Sequence, residues 1–567
     1  MKITIDSKLS EIIQSEEAVA MLNEVIPGFS DAERLRMALN FTLRFCLSHM
    51  KDGDSDALIK TLETKLKNAD IHINDAEPIN YRPMSKHQLI PGARTSTSLA
   101  DKLPNILILY IDDMGWRDLA CTGSSYYETP VIDEICREGI SFSNSYAPSP
   151  VCSPSRASLL TGKYPARLGI TDWIDDIGFS QPMKGKLIDA PTAMYIPESE
   201  KTLAHALKES GYQTWHVGKW HLGDSEHYPE KYGFDVNVGG NSWGAPMRGY
   251  FSPYGIDTLP EKAKDEYLTD RLTDEAIELV KNRDREKPFY LNLCHYAVHV
   301  PLDAKDKDVE RFRKKAHDMG LDQLQSLVEG EDFPTSKTAG TRKIIRRIIQ
   351  SEPTYAAMIW NLDWNVGRLM DILAQEDEYD NTVIIFTSDN GGLSTAEGSP
   401  TSNLPASEGK GWMYEGGTRV PLIMRYPHCI NANIRCDVPV SSVDIYPTIL
   451  DLIGQQQRPD QHIDGVSLVP LLQGDNIEDR PLYWHYPHYG NQGGTPASSM
   501  LMGQWKLIQF FEDNKVELYN LSADFSERNN VTAKYPNKAK EMTKVLNQWI
   551  AEIEAKMPTV NPEWIKY

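Results

Sequence analysis

Residues 106–111, Ile-Leu-Ile-Leu-Tyr-Ile, are apolar at every position and end on Asp112 and Asp113. A strand with one wet face alternates apolar and polar residues, so an unbroken run predicts a strand buried on both faces. Strand-like runs recur at 214–217, 289–293 and 382–387, and helical patterns intervene at 131–138, 202–210 and 355–373. Buried strands alternating with helices predict an α/β fold, a mostly parallel sheet sandwiched by helices, with ligands bound beyond the carboxyl ends of the strands.

The two ends of the chain read differently. Residues 1–74 carry Leu9, Ile12 and Ile13, then Leu35, Leu39 and Leu43, at helical spacing, with Pro27-Gly28 as a break between helices. This predicts an N-terminal helical module whose expected role is assembly, as a homo-oligomer contact, rather than catalysis. Residues 75–97 collect Pro78, Pro83, Pro91 and Gly92 and read as a linker or strap. Residues 98–480 form the expected catalytic domain. Residues 481–567 predict a small C-terminal antiparallel sheet plus helix: strands over 504–511 and 516–521, then a helix with Met542, Val545, Leu546, Trp549 and Ile553 on one face.

With 59 Lys+Arg against 80 Asp+Glu the net charge is −21, which disfavours nucleic acid and anionic membrane as partners. The longest apolar run falls far short of the ~20 residues that span a bilayer. Met1 to Ser15 shows no secretory pattern, so a cytoplasmic location is expected. Seven scattered cysteines make neither a disulfide framework nor a zinc-spaced cluster.

One cysteine stands in a distinctive segment, Cys152-Ser153-Pro154-Ser155-Arg156, continued by Leu159-Leu160-Thr161-Gly162-Lys163. Alone, Cys152 reads as a small buried hydrophobe. Asp112-Asp113 and Asp389-Asn390 each follow a buried strand and, taken singly, read as turn or cap residues. Lys219 and His221 stand two apart in Gly218-Lys-Trp-His-Leu-Gly223 and share a side if extended. His299 lies in Tyr296-Ala-Val-His-Val-Pro301, and Lys410 precedes Glu415-Gly-Gly-Thr-Arg-Val-Pro421.

In this order the segments closely resemble the type I, formylglycine-dependent sulfatase family of the alkaline-phosphatase superfamily, and within it the bacterial carbohydrate sulfatases. The resemblance runs from about Pro104 to the C-terminus. It implies that a formylglycine-generating maturation enzyme oxidises Cys152 to an aldehyde. One hydroxyl of the hydrated aldehyde attacks sulfur and the other drives release of inorganic sulfate. It implies one cation on Asp112, Asp113, Asp389 and Asn390, with the residue made from Cys152 joining them; an all-oxygen set suits Ca²⁺, with Mg²⁺ next. Arg156, Lys163, Lys219 and Lys410 would hold sulfate and the formylglycine oxygen. His221 would take a proton from the second hydroxyl, and His299 would protonate the departing alcohol. His295 reads as packing.

Residues 483–494, Tyr-Trp-His-Tyr-Pro-His-Tyr-Gly-Asn-Gln-Gly-Gly, read as an aromatic, amide-rich loop. It is either a packed domain junction or a sugar-facing wall with His485 and His488 as substrate-binding donors. The expected activity is therefore exo-acting release of sulfate from a sulfated mono- or oligosaccharide. A phosphonate or phosphate ester hydrolase on the same fold, or a glycan-binding protein with a degenerate site, are the alternatives.

Overall fold

The unbroken apolar runs become the middle of a nine-stranded sheet. Its strands are β1 (Arg82–Pro83), β2 (Asn105–Ile111), β3 (Ile140–Phe142), β4 (Gln213–Gly218), β5 (Val236–Val238), β6 (Phe289–His295), β7 (Thr382–Ser388), β8 (Leu422–Arg425) and β9 (Ile434–Cys436). Their spatial order is β1-β9-β3-β8-β7-β2-β6-β4-β5. Every residue of β2, β6 and β7 is buried, as continuous apolar runs require. From β7 to β5 the neighbours are parallel, and β8 alone runs against both β7 and β3. This is a computed structural model; it describes residues 102–174, 183–336 and 342–564, and before them residues 3–5, 7, 12, 15–26, 43, 47, 55–69 and 82–83.

The described part of the N-terminal stretch contains helices α1 (Glu16–Val25) and α2 (Ser55–Ala69). Ser15 caps α1 by accepting from the Ala18 N–H. The predicted break at Pro27-Gly28 and most of the predicted linker lie outside the described residues. Helices α3 (Pro130–Glu138), α4 (Cys152–Thr161), α5 (Leu203–Glu209), α6 (Leu268–Lys281) and α7 (Pro353–Gln375) alternate with the strands. Side chains alternate along β2, so Ile106, Ile108 and Tyr110 join one core with Leu159 and Leu160 of α4 and Leu203 and Leu207 of α5. The opposite set, Leu107, Leu109 and Ile111, is buried as well, and α6 packs on α7 and against β4 and β6.

Strands β10 (Leu482–Tyr486), β11 (Ala497–Met502), β12 (Trp505–Phe510) and β13 (Val516–Asn520) form an antiparallel sheet in chain order. Gly503, at φ 59°, makes the tight turn between β11 and β12 that a side chain would strain. Helix α8 (Pro536–Glu552) covers this sheet through Met542, Leu546 and Trp549 against Met500, Leu507 and Leu518. The chain divides into two compact units, Met1–Tyr81 with Arg313–Leu324, and Arg82–Phe312 with Gln325–Tyr567, so the C-terminal sheet shares a unit with the main sheet. Among the described residues no helix is long and apolar enough to cross a membrane.

Candidate active site

Parallel register brings distant parts of the chain together at one edge. Ser388 of β7 pairs with Ile111 of β2, so the next residues, Asp389 and Asp112, leave the sheet side by side. On the other flank Ile111 pairs with His295 of β6, and Gly218 of β4 pairs with Cys294. The Lys219 N–H donates to the Cys294 carbonyl at 2.7 Å, which fixes where Lys219 and His221 emerge. Two of the emerging residues adopt the left-handed conformation, Asp113 at φ 59° and His221 at φ 57°. Such backbone costs energy for a non-glycine residue and persists where its surroundings hold it.

Helix α4 points its first turn at this edge. Cys152 opens the helix, and Arg156 follows one turn later on the same face. Three buried ion pairs result. Arg156 Nε and Nη2 donate to Asp389 Oδ2 at 2.9 and 2.7 Å, Lys219 Nζ donates to Asp112 Oδ2 at 2.7 Å, and Lys410 Nζ lies 2.8 Å from Asp113 Oδ1. Burial alone raises a carboxyl, and it lifts Asp112 well above its ordinary range against the pull of Lys219. At Asp113 burial is outweighed by Lys410, His299 and Lys219, which hold that carboxyl below its ordinary value.

Two oxygens in the cluster, Asp112 Oδ1 and Asn390 Oδ1, are buried without a hydrogen-bond partner. Orphaned buried acceptors are rare, and an ion is one explanation for a pair of them. Asn390 Nδ2 donates to Asp113 Oδ1 at 2.8 Å, which leaves its own oxygen turned elsewhere. Asp112, Asp113 and His299 each bring a ligand atom within 4.8 Å of the others. The oxygen-rich donor set fits a hard divalent cation.

The two histidines differ in what they present. His221 Nε2 lies 2.8 Å from the Ile174 carbonyl and must carry the hydrogen there, so Nδ1 offers a lone pair 3.3 Å from Cys152 Sγ. Burial, with Lys219 adding, holds this imidazole neutral far below its usual pKa. His299 donates from Nδ1 to the Val300 carbonyl at 2.6 Å and accepts from Lys410 Nζ at 2.9 Å through Nε2. Burial and Lys410, against Asp113, lower its pKa to about 3. His295 is buried apart from them, with neither ring nitrogen hydrogen-bonded.

Three expected residues lie elsewhere. Gly162, at φ 69°, ends α4, and Lys163 leaves at the far end, roughly 15 Å of helix rise from Cys152. Its Nζ sits 2.8 Å from Glu200 Oε2, so Lys163 is not part of the cluster. Lys163→Ala is therefore expected to keep kcat/KM on an aryl sulfate within about twofold and to cost at most ~1 kcal/mol, checked by initial rates and thermal unfolding. The expected loop over 483–494 begins instead as strand β10, which contains His485, and both proposed sugar donors are buried. His485 bonds Ser498 Oγ at 2.7 Å and the Lys556 carbonyl at 2.8 Å; His488 bonds Thr171 Oγ1 at 2.9 Å and lies 3.8 Å from Asp172. Burial lowers their pKa values to about 4 and about 3. Both act as packed polar links, His485 from β10 to β11 and to the C-terminal tail and His488 to the 171–172 segment, the junction alternative raised by the sequence.

The cluster opens into a cavity of about 460 Å³ walled by Trp173, Trp243, Met247, Glu397, Asn491 and Gln492 together with His299 and Lys410. Asn491 and Gln492 come from the segment that the sequence singles out, two and three residues beyond its last aromatic, Tyr489. The two tryptophans and Glu397 sit in loops without periodicity, and only the folded chain assembles them.

A family model described as Sulfatase matches residues 104–455, and one described as N-sulphoglucosamine sulphohydrolase, C-terminal, matches residues 408–556. Human N-acetylgalactosamine-6-sulfatase is 29% identical over 471 residues, covering 79% of each chain. N-acetylglucosamine-6-O-sulfatase of Bacteroides thetaiotaomicron is 28% identical over 518 residues, covering 79% of this chain and 86% of its own. The solved structure of Ps i-CgsB in complex with k-i-k-neocarrahexaose superposes with a TM-score of 0.63 at 29% identity, covering 82% of this chain and 95% of the other. The first family model spans well over half of the residues, its relatives are sulfatases at similar coverage, and the chain accordingly belongs to the sulfatase family of sulfuric ester hydrolases.

Proposed function

We propose that this enzyme releases inorganic sulfate from a terminal unit of a sulfated saccharide, using as nucleophile a formylglycine made from Cys152 by a maturation enzyme. The observation that carries the reading is the joining of Cys152, an unprotonated His221 nitrogen and three cation–carboxylate pairs at one strand edge. Relatives named for sulfated amino sugars support the saccharide. A nucleophile set in the wall of a concave cavity suits a chain end.

Cys152 Sγ stands where the formylglycine oxygens would be; that group, when formed, supplies a hydrated aldehyde. His221 Nδ1 is placed to take a proton at that position. Lys410 and His299 form a hydrogen-bonded pair placed to pass a proton to the departing alcohol oxygen. Asp112, Asp113, Asp389 and Asn390 would hold a divalent cation, Ca²⁺ ahead of Mg²⁺, and such an ion polarises sulfate oxygens. With all three acids ionised around it, the three carboxylates offset the three side-chain cations, and about two positive charges would remain for an anionic ester. The orphan N–H groups in the first turn of α4 add to that field.

Matured enzyme assayed on 4-nitrophenyl sulfate, 4-nitrophenyl phosphate and a phenylphosphonate monoester tests the bond. Sulfate ester kcat/KM is expected to exceed the others by at least about 10²-fold. The reverse order would favour the phosphonate or phosphate alternative. Binding of sulfated sugars without turnover by formylglycine-bearing protein would favour the glycan-binding one.

A further inference from the structure

Among the described residues lining the cavity, Lys410 is the lone side chain with a permanent positive charge, and it is engaged with Asp113 and His299. The lone carboxylate on that wall is Glu397. It sits on an unusual backbone: Ala396, Glu397, Gly398 and Ser399 have φ values of 55°, 45°, 88° and 44°, four left-handed residues in succession. For residues with a Cβ this conformation costs roughly 1–2 kcal/mol each and is rarely sustained.

The surroundings enforce it. Ala396 N–H and Ser399 Oγ both donate to the Ile345 carbonyl, at 3.1 and 2.9 Å, and buried Arg347 donates through Nε to the Ser399 carbonyl at 2.5 Å. Gln492 Nε2 then donates to Glu397 Oε1 at 3.0 Å. The Gln492 backbone is held, since Trp412 Nε1 donates to its main-chain carbonyl at 3.2 Å, and its side chain lies close over Gly411, where a Cβ would stand 2.3 Å from Oε1. A strained turn that aims an acid into a substrate cavity points to function, because the strain serves no packing need of an exposed side chain.

We propose that Glu397, aimed by Gln492, accepts a hydrogen bond from a sugar hydroxyl or amide beside the scissile sulfate and selects against a second sulfate on the same ring. This rests on the saccharide reading above and narrows it to units that carry one sulfate. A carboxylate accepts from a neutral donor and repels a second anion, so one group both attracts the right substrate and rejects the wrong one. No described cation on the wall stands ready to neutralise that second sulfate.

The test compares the matured wild type with Glu397→Gln on N-acetylgalactosamine 6-sulfate and its 4,6-disulfate, and on the N-acetylglucosamine 6-sulfate and 3,6-disulfate pair, with sulfate release as the readout. The wild type should prefer the monosulfate. In Glu397→Gln the disulfate-to-monosulfate ratio of kcat/KM should rise by about tenfold or more, since the glutamine keeps the shape and removes the repulsion. An unchanged ratio, or a wild type indifferent to the second sulfate, overturns this inference and leaves the saccharide reading standing. A wild type that hydrolyses 4-nitrophenyl sulfate but neither the four sugars nor any member of a wider panel of sulfated mono- and oligosaccharides overturns both.

Discussion

A Cys152→Ala protein is expected to fold and to lose sulfate release by about 10⁴-fold or more, because removing the nucleophile removes the covalent route and leaves only binding and electrostatic stabilisation. Cys152 occupies the first turn of α4, where alanine is a good helix former, and only one small buried atom is deleted, so the stability cost should be about 1 kcal/mol. The measurement is ion-chromatographic sulfate release beside thermal unfolding of both proteins. Mass spectrometry of the wild-type peptide spanning Cys152 reports the aldehyde directly. Wild-type turnover by Cys152→Ala would remove the cysteine from the chemistry and with it the formylglycine.

Asp389→Ala should act on two quantities at once. Asp389 Oδ2 receives two guanidinium hydrogens of Arg156, whose side chain is 3% exposed, and Oδ1 receives the Asp113 N–H at 3.2 Å. Stripping the partner from a buried charge costs about 3–5 kcal/mol, and the site loses one of its negative charges, so a divalent cation is held more weakly. Elemental analysis after dialysis should fall from near one calcium per chain toward zero, activity should fall by at least about 10²-fold, and the rise in Tm on adding calcium should shrink. Full calcium occupancy in this variant would take Asp389 out of the ligand set.

Much of this was legible before folding because burial leaves a plain mark. β2, β6 and β7 are buried on both faces and read as continuous apolar runs; Asp112-Asp113 and Asp389-Asn390 stand directly behind β2 and β7. α8 shows its buried stripe at Met542, Leu546 and Trp549. What was illegible depends on where a side chain goes after its backbone is placed. Lys163 is a cation beside a motif of cations, and only the left-handed Gly162 sends it to Glu200. His485 and His488 sit among aromatics, a composition shared by sugar-binding walls and packed junctions; the pairing of β10 with β11 decides for packing at His485, and the bond to Thr171 decides it at His488. Antiparallel β8 is four residues long, too short to show a period. Glu397 had no signal at all, since nothing in Ala-Glu-Gly-Ser announces four left-handed residues.

The in-register pairing of β7 with β2 acts as a ruler. Asp113 and Asn390 are 277 positions apart along the chain yet within hydrogen-bond distance, and that closeness depends on strand alignment and not on the length of what lies between. Loops and whole helices between them can therefore grow or shrink in related proteins while the charged edge keeps its spacing. A single residue inserted within β2 or β7 would shift one donor pair by a strand step of about 3.3 Å and turn its side chains to the other face. Length variation in this lineage should thus concentrate between the strands, and the strands themselves should be fixed in length to the residue.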